Sequence, residues 1–186
     1  MNKKRKVFVI NCGSTSIKLA IFEERDCVLK SNVHVPTEIT TKYLTVAEQL
    51  PERRRIVEQF LNENNIDPST FDIIASRGGS IPLCRSGAYI VNDYMIDVLT
   101  YAARTQHASS LSCMIGDKYA KEYNIPHIIY DSVSVDDVDE IMKYTGIPGI
   151  TNNSGMHTLN VRMVSRTVAE KLKKPFEQCR FIVVHL

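Results

Sequence analysis

Residues 7–22, VFVINCGSTSIKLAIF, decide the fold that we expect for this chain. Two apolar runs rich in β-branched side chains flank the polar residues 11–16, and this pattern predicts two antiparallel strands joined by a tight loop. Gly13 lets the backbone approach a bound group closely, and successive amides and hydroxyls can form an anion-binding concavity near the charge of Lys18. The stretch suits the terminal phosphates of a nucleotide and its magnesium ion, or else it is an ordinary hairpin with a polar turn.

The composition is that of an ordinary globular protein. The chain has 186 residues, of which 44% are hydrophobic and 24% charged, and its formal net charge is +2. A charge so close to zero predicts binding neither to nucleic acid nor to an anionic membrane. No apolar run approaches the ~20 residues of a membrane span, and the first residues do not resemble a secretory leader, so we expect a cytoplasmic location.

The cysteines predict neither a disulfide framework nor a zinc site. There are five of them, scattered along the chain and without a CxxC pair. Cys12 lies within the polar loop, but no base stands near it in the sequence, so we interpret it as a small packing residue.

The apolar periodicity of the rest of the chain predicts an α/β protein. It indicates strands at 6–11, 16–22, 27–35, 72–76, 88–91 and 127–131, helices at 51–64, 93–104, 108–123, 135–144 and 157–172, and loops at 36–45 and 77–85. Three strands followed by alternating helices and strands predict a mixed sheet flanked by helices, in which a meander precedes crossover connections.

The last part of the sequence predicts a second, truncated domain. Gly, Thr, Asn and Ser cluster at 149–154, which favours a first domain at residues 1–150 and the start of another at 151–186. Residues 181–186, FIVVHL, are typical of a buried strand, and the chain has only 8 glycines. We therefore expect that a glycine-rich continuation is absent from this chain.

Six short segments follow one another in an order that is typical of a known family. They are NCGSTSIK at 11–18, SRGG at 76–79 followed by SGAYIVN at 86–92, HAS at 107–109, Asp131, SGMHTLN at 154–160 and VVHL at 183–186. Together they resemble the acetate and butyrate kinase family, over the first half of the family's length. The resemblance implies the actin, sugar kinase and Hsp70 superfold, an RNase H-like domain with a mixed sheet, and a second, nucleotide-binding domain of which only the start is present.

The resemblance also implies a reaction. A member of this family would transfer a phosphoryl group reversibly between ATP and a short-chain carboxylate, giving an acyl phosphate and ADP, with Mg²⁺ as cofactor. Residues 86–92 and 132–137 are similar to butyrate kinases in particular, which favours butyrate over acetate. The complete protein would be a homodimer or a larger homo-oligomer, and this chain alone would be inactive.

The resemblance assigns the polar loop to the nucleotide. Asn11 and Ser16 would hold Mg²⁺ and its waters, because this ion prefers oxygen ligands and retains several waters. The neighbouring candidates for phosphate contact are Gly13, Ser14, Thr15, Lys18 and His185. The alternatives are turn capping for the loop residues, a surface position for Lys18 and simple packing for His185.

Four residues are candidates for the reacting groups. Arg77 would grip the substrate carboxylate in a bidentate fork, or it is a structural arginine. His157, which matches the family's transition-state histidine, and His107 would stabilise the transferring phosphoryl group, unless they are structural. Asp131 ends a strand and would orient magnesium or a water, hold Arg77, or cap a helix.

Further positions follow from the same reasoning. An apolar wall for the alkyl tail of the acid is expected at Ile81, Pro82, Leu83 and Tyr89. Asp136 and Asp137 are expected to cap the next helix. Two other functions stay open: a kinase of the same family for acetate, propionate or a branched acid, or a non-catalytic binding module.

Overall fold

A six-stranded mixed sheet organises the chain. The computed structural model describes residues 4–102, 107–152 and 157–184. Three strands form an antiparallel meander, two join it in parallel, and one returns antiparallel at the far edge, in the order β3-β2-β1-β4-β6-β5. The strands are β1 (Lys6–Cys12), β2 (Ser16–Glu23), β3 (Asp26–His34), β4 (Ile73–Ser76), β5 (Ala88–Ile90) and β6 (His127–Tyr130).

Helices connect and cover the strands. They are α1 (Thr37–Lys42), α2 (Leu50–Glu63), α3 (Asp93–Asp97), α4 (Ser109–Tyr123), α5 (Glu140–Lys143) and α6 (Thr158–Lys171). A π-helical turn, Val98–Ala102, follows α3 directly, and short 3-10 segments lie at Ala47–Gln49, Pro68–Thr70 and Phe176–Gln178. None of the helices in the described ranges combines the length and the apolar character that crossing a bilayer requires.

The core lies between the meander and helices α2 and α4. Every second residue of β1 and β2 is buried, and Phe8 stacks on Phe71 with 4.9 Å between ring centroids. Each large apolar side chain that is buried in this way stabilises the fold by roughly 2 kcal/mol. The principal members are Phe8, Ile10, Ile17, Leu19, Val57, Phe60, Leu111 and Ile115.

Cys12 belongs to this core, as the sequence predicts. Its side chain is buried, and burial raises the pKa of its thiol to about 11. A thiol with so high a pKa is uncharged at neutral pH and is a poor nucleophile. Packing is therefore the role that the structure gives it.

Two predictions about helices are wrong. Part of the predicted loop at 36–45 is helix α1, in which the Thr40 and Thr41 hydroxyls each donate to the Thr37 carbonyl at 2.9 Å. The helix predicted at 135–144 is reduced to α5. Its first half is drawn instead to the loop before β5, where the Cys84 N–H donates to Ser134 and the Asp136 N–H donates back to Cys84.

The capping role expected of Asp136 and Asp137 is also wrong. The Asp136 carboxylate pairs with Lys143 Nζ at 2.7 Å, and Asp137 accepts the Ser86 N–H at 3.0 Å. The residue that precedes α5 is Asp139, and its side chain makes no capping hydrogen bond. Neither Asp136 nor Asp137 therefore caps the N-terminus of α5.

The strand expected at the end of the chain is wrong for the residues that are described. Residues 181–184 have no regular structure, and Ile182 and Val184 are 97% and 77% exposed. A strand needs a neighbour for its backbone groups, and among the described residues none pairs with this segment.

Candidate active site

Three parallel strands end at one edge of the sheet and bring the predicted polar residues together there. Ile10 of β1 pairs with Ser76 of β4, and Ser76 pairs with Ile129 of β6. The next residues along the chain, Asn11 and Arg77, are therefore neighbours, and the Arg77 N–H donates to the Ile10 carbonyl at 3.0 Å. We call this edge, where open α/β sheets bind ligands, the carboxyl edge.

Backbone hydrogen bonds fix the conformation of the hairpin loop between β1 and β2. The Gly13 N–H donates to the Ser16 carbonyl at 2.7 Å, and the Val35 N–H donates to the Thr15 carbonyl at 2.9 Å. Ser14 and Thr15 are exposed at the tip. The loop is thus a preformed turn with its tip open to a ligand.

Polar side chains of the hairpin share the face opposite the core. Asn11, Ser16 and Lys18 alternate with buried residues, and Asn11 pairs directly with Lys18, so these side chains project from the same side of the sheet. Lys18 is exposed. The amide of Asn11 and the hydroxyl of Ser16 are hard oxygen donors that fit Mg²⁺.

Buried Arg53 on α2 holds the loop from behind. Its Nη1 donates to the Gly13 carbonyl at 2.7 Å and its Nη2 to the Ser14 carbonyl at 2.8 Å. Arg53 is not among the residues predicted from the sequence. A signal was present, however, because Arg53 lies four residues before Val57 on the apolar stripe of α2, where an arginine needs buried partners.

Arg77 follows β4 directly and presents its guanidinium without a partner in the described part of the chain. The residue is half-buried, and within the described residues its side chain makes neither a hydrogen bond nor an ion pair. Since its backbone is fixed to β1, the guanidinium is available to a carboxylate at the carboxyl edge.

The two glycines after Arg77 serve packing. A Cβ on Gly79 would lie 2.6 Å from Cα of Ser110 and overlap that side chain, and one on Gly78 would lie 2.9 Å from Cβ of Ser132. The structure shows that they let the loop touch α4 and the segment after β6.

The first turn of α4 is tied to the same edge. The Cys12 N–H donates to Ser112 Oγ at 2.8 Å, and Ser76 Oγ donates to the Ser112 carbonyl at 2.9 Å. Just before the helix, His107 Nδ1 accepts the Ser109 N–H at 3.1 Å. The proton of the neutral ring is therefore on Nε2, which is the nitrogen left for a ligand.

Asp131 pairs with an arginine, but not with the one that the sequence suggested. Its carboxylate is fully buried, accepts the Gly87 N–H at 2.8 Å and lies 3.3 Å from Nη1 of Arg162 on α6. Arg162 Nη2 reaches Asp137 at 3.2 Å. Hydrogen bonds from Ser86 lower the pKa of Asp137, and Arg162 lowers it further. Arg162 was missed because only the tertiary fold brings α6 to these carboxylates.

The chain matches curated butyrate kinases over nearly its whole length. It is 36% identical to a probable butyrate kinase 1 of Thermotoga maritima over 97% of the chain and 51% of that protein. It is 34% identical to butyrate kinase 1 of Clostridium acetobutylicum, with the same coverage. This chain is homologous to butyrate kinases. It spans about half the length of the curated relatives that it matches. No protein-family profile matches it.

Solved structures confirm the fold of this chain. Acetate kinase of Porphyromonas gingivalis aligns with a TM-score of 0.62 at 15% identity, covering 95% of this chain and 51% of the other. A propionate kinase of Francisella tularensis aligns with a TM-score of 0.57 at 16% identity, covering 91% and 50%. The actin, sugar kinase and Hsp70-like fold expected from the sequence is thus confirmed.

Fewer contacts define the positions of the remaining candidate residues. His157 is exposed directly before α6, the helix that carries Arg162. His185 and residues 154–156 of the SGMHTLN segment lie outside the described residues. Of the expected apolar wall, Ile81 is buried with Leu99 and Ile129, whereas Leu83 is 52% exposed.

Beneath the carboxyl edge, His127 is buried as a neutral ring. Its Nε2 lies 2.8 Å from Ser76 Oγ, whose hydrogen is given to Ser112, so the histidine is the donor. Its Nδ1 has no partner in the described part of the chain. Burial lowers the pKa of His127 to about 4, because desolvation disfavours the charged ring, and a second ring proton would find no acceptor among the described residues.

We expect His127 to make folding sensitive to acid. The unfolded chain takes up this proton near pH 6.5 and the folded chain only near 4, so stability is lost as the pH falls through that window, by about 3 kcal/mol in total. Urea unfolding between pH 7 and 4 checks this. His127→Gln should remove that part of the pH dependence, and His34→Gln, at an exposed histidine, should retain it.

Proposed function

We propose that the full-length gene product is an ATP-dependent carboxylate kinase that transfers a phosphoryl group reversibly between ATP and a short-chain carboxylate, with butyrate as its preferred acid. The observation that carries the proposal is the Arg77 guanidinium, which has no partner among the described residues and lies at the same sheet edge as the open tip of the hairpin loop. This reaction needs a cation that binds the carboxylate next to a turn that binds the phosphates.

Charge is the central difficulty of such a reaction, since both reactants are anions. In our proposal Arg77 binds the carboxylate in a bidentate fork and holds one oxygen in line with the terminal phosphate. The hairpin residues Ser14 and Thr15 receive the phosphates, and His107 and His157 donate hydrogen bonds to the transferring group. Protein groups would thus align the reactants and spread the developing charge.

Magnesium has a place in this proposal. Asn11 and Ser16 would hold the ion or its waters, since neutral oxygens suit it when the phosphates supply the charge. Within the described ranges, no group of three His, Cys, Asp or Glu side chains could hold a metal, so the nucleotide would be a main source of ligands. The bound ion would neutralise charge on the phosphates.

The chain covers about half the length of its curated relatives, and this coverage bears on its domain organisation. We propose that residues 1–150 form the first domain and that residues 151–186 begin the nucleotide-binding one, as the sequence suggests. Further groups of the nucleotide site would then belong to the part of the relatives that this chain does not match. The proposal includes a cytoplasmic homodimer or larger homo-oligomer.

Trapping of the product tests the proposal. The full-length gene product is incubated with ATP, Mg²⁺ and hydroxylamine, which converts an acyl phosphate into a coloured hydroxamate, across acetate, propionate, butyrate and branched acids. We expect the highest kcat/KM with butyrate. A maximum at another acid would replace butyrate as the substrate, and no hydroxamate with any acid would refute the carboxylate kinase. The 186-residue chain alone should give none.

A further inference from the structure

An arginine, Arg53 of α2, is buried behind the hairpin loop. Its side chain is among the largest that are fully buried, and desolvation lowers its pKa. Among the described residues its partners are neutral: the carbonyls of Gly13 and Ser14, and Gln49 Oε1, which accepts from Nε at 3.0 Å. Burying a guanidinium is costly, and neutral acceptors offset the cost less well than a carboxylate would.

The two carbonyls that Arg53 binds belong to consecutive peptide groups. In a trans peptide group the N–H points away from the C=O of the same unit. The Gly13 carbonyl shares its unit with the Ser14 N–H, and the Ser14 carbonyl shares its unit with the Thr15 N–H. By fixing both carbonyls on the α2 side, Arg53 therefore turns two successive N–H groups toward the open side of the loop.

Those two N–H groups are left for a ligand. Neither the Ser14 nor the Thr15 N–H donates a hydrogen bond within the part of the chain that the structure describes. The neighbouring backbone groups are occupied, because the Gly13 N–H binds Ser16 and the Thr15 carbonyl binds Val35. Paired backbone N–H groups with a cation behind them form a concavity that attracts anions.

We propose that Arg53 is a positioning residue that aims the Ser14 and Thr15 N–H groups at the terminal phosphates of ATP. This inference rests on the proposed kinase function. Arg53 itself does not touch the nucleotide in this proposal, since its side chain is buried behind the loop and each of its three nitrogens donates to the loop or to Gln49. Its charge strengthens the positive ends of both peptide dipoles, and its planar fork holds them in one orientation.

The test compares Arg53→Lys with Arg55→Lys in the full-length gene product. Lysine keeps the charge but lacks the planar fork, so it cannot hold both carbonyls in the same way. We expect Arg53→Lys to raise the KM for ATP about tenfold while the KM for butyrate changes by less than about twofold. Arg55 is exposed and pairs with Glu52 at 3.2 Å, so Arg55→Lys should leave both KM values unchanged.

Separate KM values distinguish positioning from a general loss of fold. Loss of folded protein lowers the apparent kcat and leaves both KM values as they were, and this result would overturn the inference. Thermal unfolding is recorded for each variant. Should Arg53→Lys not fold, Gln49→Met removes the Nε acceptor and retains the arginine; it is expected to shift the KM for ATP in the same direction, and an unchanged KM would overturn the inference.

A binding measurement separates failure of the inference from failure of the proposed function. If the wild-type protein forms no acyl phosphate, the kinase proposal fails, and calorimetry with inorganic tripolyphosphate then decides the role of Arg53. Weaker binding by Arg53→Lys than by wild type supports the inference. Equal binding, or no binding by wild type, overturns it.

Discussion

Replacing Arg77 by alanine in the full-length gene product is expected to lower kcat/KM for butyrate about 1,000-fold, which corresponds to about 4 kcal/mol for the loss of two charge-assisted hydrogen bonds. Within the described residues the guanidinium makes no hydrogen bond or ion pair, so its removal breaks none. The KM for ATP and the thermal midpoint should therefore stay near the wild-type values. Initial rates over a matrix of ATP and butyrate concentrations check this.

Arg77→Lys is the matched variant. It keeps the positive charge but cannot form the bidentate fork, so its kcat/KM should lie between those of wild type and Arg77→Ala. Wild-type kinetics in the alanine variant would remove Arg77 from the site. A fall in kcat/KM that is matched by a fall in thermal midpoint would indicate a structural arginine instead.

Gly79→Ala is expected to lower the free energy of unfolding by about 3 kcal/mol. The added Cβ would lie 2.6 Å from Cα of Ser110, and backbone on α4 cannot move aside as a flexible side chain would. Because Gly79 is two residues from Arg77 and rests on the turn that follows His107, the shift should also reduce acyl phosphate formation. Urea unfolding and the hydroxamate assay check the two effects.

Gly146→Ala provides the control for that variant. A Cβ at Gly146 would meet no atom within 4 Å, so the unfolding free energy should change by less than about 1 kcal/mol. Equal stability of Gly79→Ala and Gly146→Ala would show that the loop after β4 can move away from α4. The close packing described above would then not constrain Arg77.

Local patterns predicted the sheet well. The hairpin of β1 and β2 and strand β4 follow from apolar β-branched runs and turn residues, and their observed bounds differ from the predicted ones by no more than one residue. Helix α2 likewise follows from the spacing of its apolar residues after Pro51. These signals lie within a few residues of one another, which is why a single sequence reveals them.

Tertiary contacts account for what the sequence did not predict. Arg53 reaches residues 39 and 40 positions earlier, and Arg162 meets carboxylates 25 and 31 positions earlier. The region before α5 has helical spacing, but hydrogen bonds to Cys84 and Ser86 draw it into a loop. No local periodicity encodes such long-range partners.

The inward-facing carbonyls of the hairpin loop have an evolutionary consequence. If backbone N–H groups recognise the phosphates, substitutions among small residues at positions 14 and 15 should not weaken phosphate binding. Position 53 has no such latitude, since no other side chain carries a planar cation with parallel donors. Among natural variants of this chain, we therefore expect residues 14 and 15 to vary and Arg53 on α2 to be retained.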